Sequence, residues 1–138
     1  MLEGLLEYER ATGGTPESRQ AREAGEEYLL RRSLFRRLST GEPADEQFLA
    51  FLHPNRWRYD ILRALDYFRS AAILTAAAPD PRLGEAIEQV RSRRLADGNW
   101  PLDWRLPGRV WFEVDDPAGK PSRWVTLRAM RVLSWWER

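Results

Sequence analysis

The chain has no cysteine, one histidine (His53) and one lysine (Lys120) in 138 residues. Without cysteine there is no disulfide, no thiolate nucleophile and no thiolate metal ligand, and nothing asks for an oxidising compartment. A lone histidine does not supply the His/Cys sets that hold zinc. Ser33, Ser39 and Ser70 have no histidine near them, which argues against a serine–histidine hydrolase. Long apolar runs are missing too. The longest, AAILTAAA (71–78), is far short of the ~20 residues that span a bilayer. The N-terminal MLEGLLEYER is acidic and lacks the basic region of a secretory signal. Neither sign of charge dominates: a net charge of +1 creates no field that would gather nucleic acid. These absences describe a cytoplasmic protein with no membrane span, no nucleic-acid partner, no metal and no cofactor.

What is present suits one globular domain over residues 1–138. Hydrophobic residues make up 43% and charged residues 31%, a balance that builds a core and argues against disorder. Almost every cation is an arginine, a bias that fits a GC-rich bacterial coding sequence. Each is a planar fork able to pair bidentately or stack on a ring.

Prolines and glycines divide the chain into helical segments. Leu2, Leu5, Leu6 and Tyr8 mark a short helix over 2–11. Thr15-Pro16 reads as N-cap and first helical residue, opening a helix to about Leu38. Ala21, Ala24, Tyr28 and Phe35 share one face of it, and Leu30, Leu34 and Leu38 widen the stripe. A short helix covers Asp45–Leu52. The next, about 58–77, is apolar around much of its girth. Asp80-Pro81 repeats the cap signal before a helix to about Ala96, whose single stripe is Leu83, Ala86, Ile87 and Val90. Gly98 is the expected left-handed cap. Val110, Phe112 and Val114 alternate with Trp111 and Glu113, so a short hairpin or extended lid lies within 100–116. Ser122 caps a last helix to about Glu137, again apolar on more than one face.

Narrow-stripe and wide-stripe helices therefore alternate. RYDILRALDYF (58–68) also aligns with RWVTLRAMRVL (123–133) at an offset of 65, with Arg, Leu, Arg and Ala identical at four positions. The expected fold is all-α: stacked helical hairpins, about five to six helices, with one-sided helices outside and two-sided helices inside. In such an array Trp100, just past Gly98, packs over a helix end. Its indole N–H can reach carbonyls left open there.

RRLADGNWPLDW (93–104), PGRVWFEV (107–114) and PSRWVTLRAMRVLSWW (121–136), with EYLLRRSLFRRLSTGE (27–42) and RYDILRALDYF, resemble the C-terminal part of bacterial prenyltransferase or squalene cyclase-like proteins. These belong to the terpenoid cyclase and protein prenyltransferase superfamily. The resemblance implies a partial α/α toroid, about half of the ~300 residues of a full ring. It also implies a role in binding a hydrophobic, isoprenoid-type ligand or a protein partner. Gly98-x-Trp100 matches the superfamily's repeat, whose glutamine falls near Arg94 and is missing. The cyclases' aspartate-rich acid motif is not matched by EVDDPAG (113–119), and the prenyltransferases' Asp-Cys-His zinc set has no counterpart, so no catalytic residue is carried over. Two other readings stand beside this one. The chain is a fragment of a cyclase or prenyltransferase whose catalytic residues lie in a missing N-terminal half, or it is a self-associating module, a homo-oligomer joined through Trp135 and Trp136.

The candidate ligand-binding residues are Arg58, Tyr59, Asp60 and Arg63 on one wide-stripe helix and Arg123, Trp124 and Arg128 on the other. If both helices are internal, their N-terminal ends line one mouth of a central cavity. Arginines and helix N-termini suit an anionic group, and the rings suit an apolar tail. The structural alternative has Asp60 and Asp66 pairing with Arg63 and its neighbours while the rings pack. Asp115-Asp116 reads as a solvated turn, Arg31, Arg32, Arg36 and Arg37 as a solvated helix face paired with Glu26 and Glu27, and His53 as a loop residue.

Overall fold

A computed structural model describes residues 1–138. The fold is mostly helical, with five α-helices and one two-stranded antiparallel sheet. Helices α1 (Leu2–Thr12) and α2 (Pro16–Leu30) form an antiparallel hairpin. Thr15 caps α2 through the Ser18 N–H at 3.2 Å, and the Ser18 hydroxyl accepts from the Thr15 N–H in return at 2.9 Å. The helices approach closely because α2 presents Gly25 to Leu2. A Cβ there would lie 2.7 Å from the leucine side chain.

Helix α2 stops at Leu30, eight residues before the expected end. Ser33 and Leu34 adopt left-handed φ angles of 45° and 69°, and the chain turns inward. Leu34 and Phe35 are buried, while Leu38 is open. Left-handed backbone costs about 1–2 kcal/mol per residue. Burying Leu and Phe contributes about 1.5–3 kcal/mol each, so burial wins over helix continuation. The Tyr59 hydroxyl then satisfies the Leu34 carbonyl at 2.6 Å. The four arginines expected on one helix face are thereby dispersed. Arg32 stacks over Tyr28, Arg36 pairs with Glu85, and Arg37 donates to the Ala44 carbonyl. Their expected partners are engaged elsewhere: Glu26 binds Arg22 and Glu27 binds Arg82.

A single 3-10 turn (Glu46–Leu49), capped by Asp45, stands where a short helix was expected. Helix α3 (Ile61–Thr75) is the central rod, packed against α1, α4 and α5. Ile61, Leu62 and Leu65 are completely buried. Asp80 caps a 3-10 turn that runs into α4 (Gly84–Ser92). The expected stripe of Leu83, Ala86, Ile87 and Val90 is fully buried. Helix α4 ends at Ser92, short of Ala96. Gly98 is left-handed, with φ of 88°, but it serves a separate turn in which its N–H donates to the Leu95 carbonyl.

Strand β1 (Trp100–Pro101) pairs with β2 (Pro121–Ser122). This two-residue ladder closes a long loop without regular secondary structure over 102–120; of the two expected forms, hairpin or extended lid, the hairpin does not form. Trp100 is 1% exposed, and its indole N–H donates to the Val90 carbonyl near the end of α4 at 2.7 Å. Arg94 covers its ring and donates to the Gly98 carbonyl. Farther along the loop, Asp115 is buried rather than solvated. It accepts from the Ser122 hydroxyl, whose oxygen caps the last helix through the Val125 N–H at 3.0 Å. Only Asp116 is exposed, just before the turn at 118–119.

That last helix, α5 (Arg123–Trp136), is one-sided, contrary to expectation. Val125, Thr126, Ala129 and Val132 are buried. Trp124, Leu127 and Met130 are open, Leu127 to 48%. In the frame of the sequence repeat, both helices bury one common face, containing Ala64 and Ala129. Helix α3 also buries Leu62 and Leu65, whose counterparts Leu127 and Met130 have nothing over them. Trp135 and Trp136, of which at least one was expected to be exposed, are both half-buried and meet edge-to-face at 6.5 Å. The two long rods are in contact and run the same way: Arg128 reaches Asn55 ahead of α3, and Arg131 lies 3.8 Å from Asp66 farther along it. No helix is long and apolar enough to cross a membrane.

Candidate ligand groove and the arginine-rich helix ends

Asp60 sits at the expected mouth, but as the N-cap of α3. Its side chain accepts from the Arg63 N–H at 2.7 Å and from the Asn55 side-chain amide. Complete burial pushes its carboxyl above the usual aspartate range, against the pull of Arg128 and of its hydrogen-bond donors. Arg128 donates to the other end of the Asn55 amide, so one loop residue bridges the two long helices. Arg63 forks onto Glu3 of α1 at 2.8 and 2.6 Å and donates to the carbonyls of Arg56 and Arg58. The hydrogen bond between them holds Glu3 below its ordinary range and Arg63 above its own.

These groups converge on a polar cleft of about 290 Å³ lined by Glu3, Asn55, Arg63, Asp66 and Arg128 among others. A central cavity with aromatic walls was expected; the rings lie elsewhere. Tyr59 precedes α3, packs edge-on against Phe48 and donates to Leu34. Burial, then the nearby Asp60 charge, raises its phenol. Trp124 stacks on His53 at 5.3 Å and donates to the Val114 carbonyl at 2.8 Å. Arg123 reaches the same carbonyl, and Arg58 reaches Gln47 and lies over Trp104. Asp60, Arg63 and Arg128 are therefore brought together, while Arg58 and Tyr59 lie to one side and Arg123 and Trp124 to another. The pairing of Asp66 with Arg63 does not form: Asp66 lies 3.5 Å from Arg69.

A larger depression opens on the other side of Arg63. The stripe Ala21, Ala24 and Tyr28, expected in the core, lies on an open face of α2. Together with Leu2, Trp57 and Tyr59 it lines a groove of about 770 Å³, ten of whose fourteen lining residues are apolar. Arg58 and Arg63 also line it. A second depression of about 550 Å³ shares Tyr28, Leu29 and Tyr59 and extends the apolar surface to Phe35 and Leu38. Tyr28 is 57% exposed and Trp57 74%. Alanines give this face room that larger side chains would fill. That was the one sequence sign that the stripe borders open space, and Trp57, between two arginines in a turn, was missed altogether.

No cluster of three or more His, Asp or Glu side chains is placed to hold a metal ion. The groove's one carboxylate, Glu3, is engaged by Arg63. What the groove offers is apolar surface with a cationic edge.

No protein-family model matches this chain, and comparison with curated proteins and with solved structures finds no match.

Proposed function

We propose that the chain is a non-catalytic helical domain of the terpenoid cyclase and prenyltransferase type, a partial α/α toroid, and that it binds an elongated apolar molecule in the groove between α1, α2 and α3. The observation that carries this reading is the groove itself: about 770 Å³, predominantly apolar, with exposed rings and with Arg58 and Arg63 in its lining. That is the volume and chemistry of a small-molecule site, and the arginines suit a ligand with an anionic or polar head. The toroid assignment is supported by two long helices running in parallel, a one-sided helix between them in sequence, and a tryptophan packed over its end.

A dansylated farnesyl probe tests the reading. It is expected to bind saturably with enhanced emission. Ala24→Trp, which fills the groove from an exposed helix position, is expected to weaken binding by about tenfold or more. Its melting curve should stay close to the parent's, as for most surface changes. Absence of saturable binding, or equal binding by Ala24→Trp, rejects it.

The open face of α5 favours a second reading, in which the array closes through another copy of the chain. Leu127 and Met130 are exposed at helical spacing with nothing over them, beside the outer edge of Trp124, which His53 covers on one face. Light scattering is then expected to give a dimer mass that the double change Leu127→Glu, Met130→Glu returns to monomer. A monomeric parent chain at high concentration rejects this reading.

A further inference from the structure

The loop between β1 and β2 carries a second cleft, which shares no lining residue with the groove. Its volume is about 310 Å³, and its walls include His53, Arg56, Arg105, Arg109, Trp111 and Phe112. Its charges are unbalanced. Three guanidiniums face one carboxylate, Glu113, which is held by Arg105. Asp115 lies buried behind, engaged by Ser122. Arg56 and Arg109 have no side-chain partner within the protein, although most arginines of this chain are tied to a carboxylate or a carbonyl.

Arg56 is also fixed in place. Its backbone is left-handed, with φ of 49°, and its carbonyl is gripped by Arg63 at 2.6 Å. That conformation is costly for a residue with a side chain. Here it sets a free guanidinium at the wall of the cleft. The rings of Trp111 and Phe112, which also line the cleft, are 99% and 73% exposed. Isolated exposed apolar residues are ordinary, but adjacent large rings beside unpaired arginines form a patch that calls for an occupant.

We propose that this cleft binds a small molecule made of a phosphate group and a flat ring. Arg56 and Arg109 take the phosphate, for which a planar fork of N–H donors is well matched. Trp111 takes the ring by stacking, which tolerates many ring systems. The volume is at the low end for ligand sites. It suits one phosphate and one ring system, and is too small for an extended chain. The site is independent of the apolar groove.

His53 is a built-in reporter. It is the only histidine, so its ring protons give one unambiguous proton resonance set. Burial, then the Arg128 charge, pushes its titration below the ordinary histidine range, against the pull of Asp115. A bound phosphate dianion nearby favours the imidazolium and moves that midpoint up.

The test uses the full chain with adenosine monophosphate, inorganic phosphate and adenosine as probes, against chloride at matched ionic strength. The monophosphate is expected to shift the His53 resonances saturably and raise their midpoint. Inorganic phosphate should do so more weakly, and adenosine and chloride not at all. Arg56→Gln and Arg109→Gln should each weaken the monophosphate by about tenfold. Trp111→Ala should remove its advantage over inorganic phosphate. Ala24→Trp should change nothing here, which separates this site from the groove. The proposal is overturned by the absence of a saturable shift, by a shift that chloride or adenosine reproduces, by one that survives both arginine substitutions, or by equal binding of monophosphate and inorganic phosphate.

Discussion

Trp100→Ala is expected to lower stability by about 3–5 kcal/mol, the range for deleting a buried aromatic ring. For a chain of this size that corresponds to a melting temperature roughly 10–20 °C lower. Two losses combine. The ring is 1% exposed, so its removal leaves a cavity between α4, α5 and the β-ladder. The Val90 carbonyl also loses its 2.7 Å indole donor and keeps only the Arg93 N–H at 3.3 Å. Trp100→Phe separates the two: it retains most of the packing and should cost about 0.5–1.5 kcal/mol, the range for one lost hydrogen bond whose acceptor keeps another donor. Calorimetry on both variants checks this. Equal losses for Phe and Ala would assign the effect to the hydrogen bond, and a small loss for Ala would refute the packing role.

Trp100 was legible in the sequence because its role is local. A helix end leaves open carbonyls, and a tryptophan shortly after it can reach one. Helix starts were legible for the same reason. Thr15, Asp80 and Ser122 each place a side-chain oxygen beside a free N–H, and no tertiary knowledge is needed to foresee that. Helix ends were not. Nothing near Leu30 marks a stop, and the chain turns there because Leu34 and Phe35 gain more by burial than the helix gains by continuing. Gly98 was rightly read as left-handed, but it serves a turn beyond a helix already finished at Ser92.

The candidate site was legible in part. Arg63 and Arg128, equivalent in the sequence repeat, do converge on one loop. What they meet there was hidden, because Glu3 lies sixty residues before Arg63 and many carboxylates compete for each arginine. Asp60 was read as a binding group, whereas its position one residue before Ile61 makes it a cap. The two-sided reading of α5 failed because sequence reports which faces are apolar, not whether a neighbour covers them. Leu62 and Leu127 are identical in type and in register, and only the first has helices around it.

Arg22→Met is expected to cost about 3–5 kcal/mol, the range for breaking a buried ion pair from one side. No feature of the sequence singles out this residue, yet its guanidinium is nearly as buried as the core. It donates to Glu9 of α1 at 2.9 Å and to Glu26 at 2.6 Å, and Tyr67 of α3 donates to the same Glu26 oxygen at 2.7 Å. One cation thus ties three helices. Burial pulls the guanidinium down, but its bonds to Glu26, Tyr67 and Glu9 more than compensate and hold it above its ordinary range. The Tyr67 phenol is raised, by burial first and by Glu26 next. Removing Arg22 leaves the Glu9 carboxylate without its buried partner; the only other cation near it is Arg19, at 3.8 Å. That uncompensated charge, rather than the lost attraction, is the main cost. The double variant Glu9→Met, Arg22→Met removes charge and partner together. It should recover most of the loss, because a buried pair replaced by apolar side chains of similar volume is often neutral or better. Glu26 keeps its Tyr67 donor and is only half-buried, so it needs no rescue. Chemical denaturation of parent, both single variants and the double completes the cycle. If the double variant is no more stable than Arg22→Met, the effect lies in packing at the α1–α2 contact and not in the stranded carboxylate.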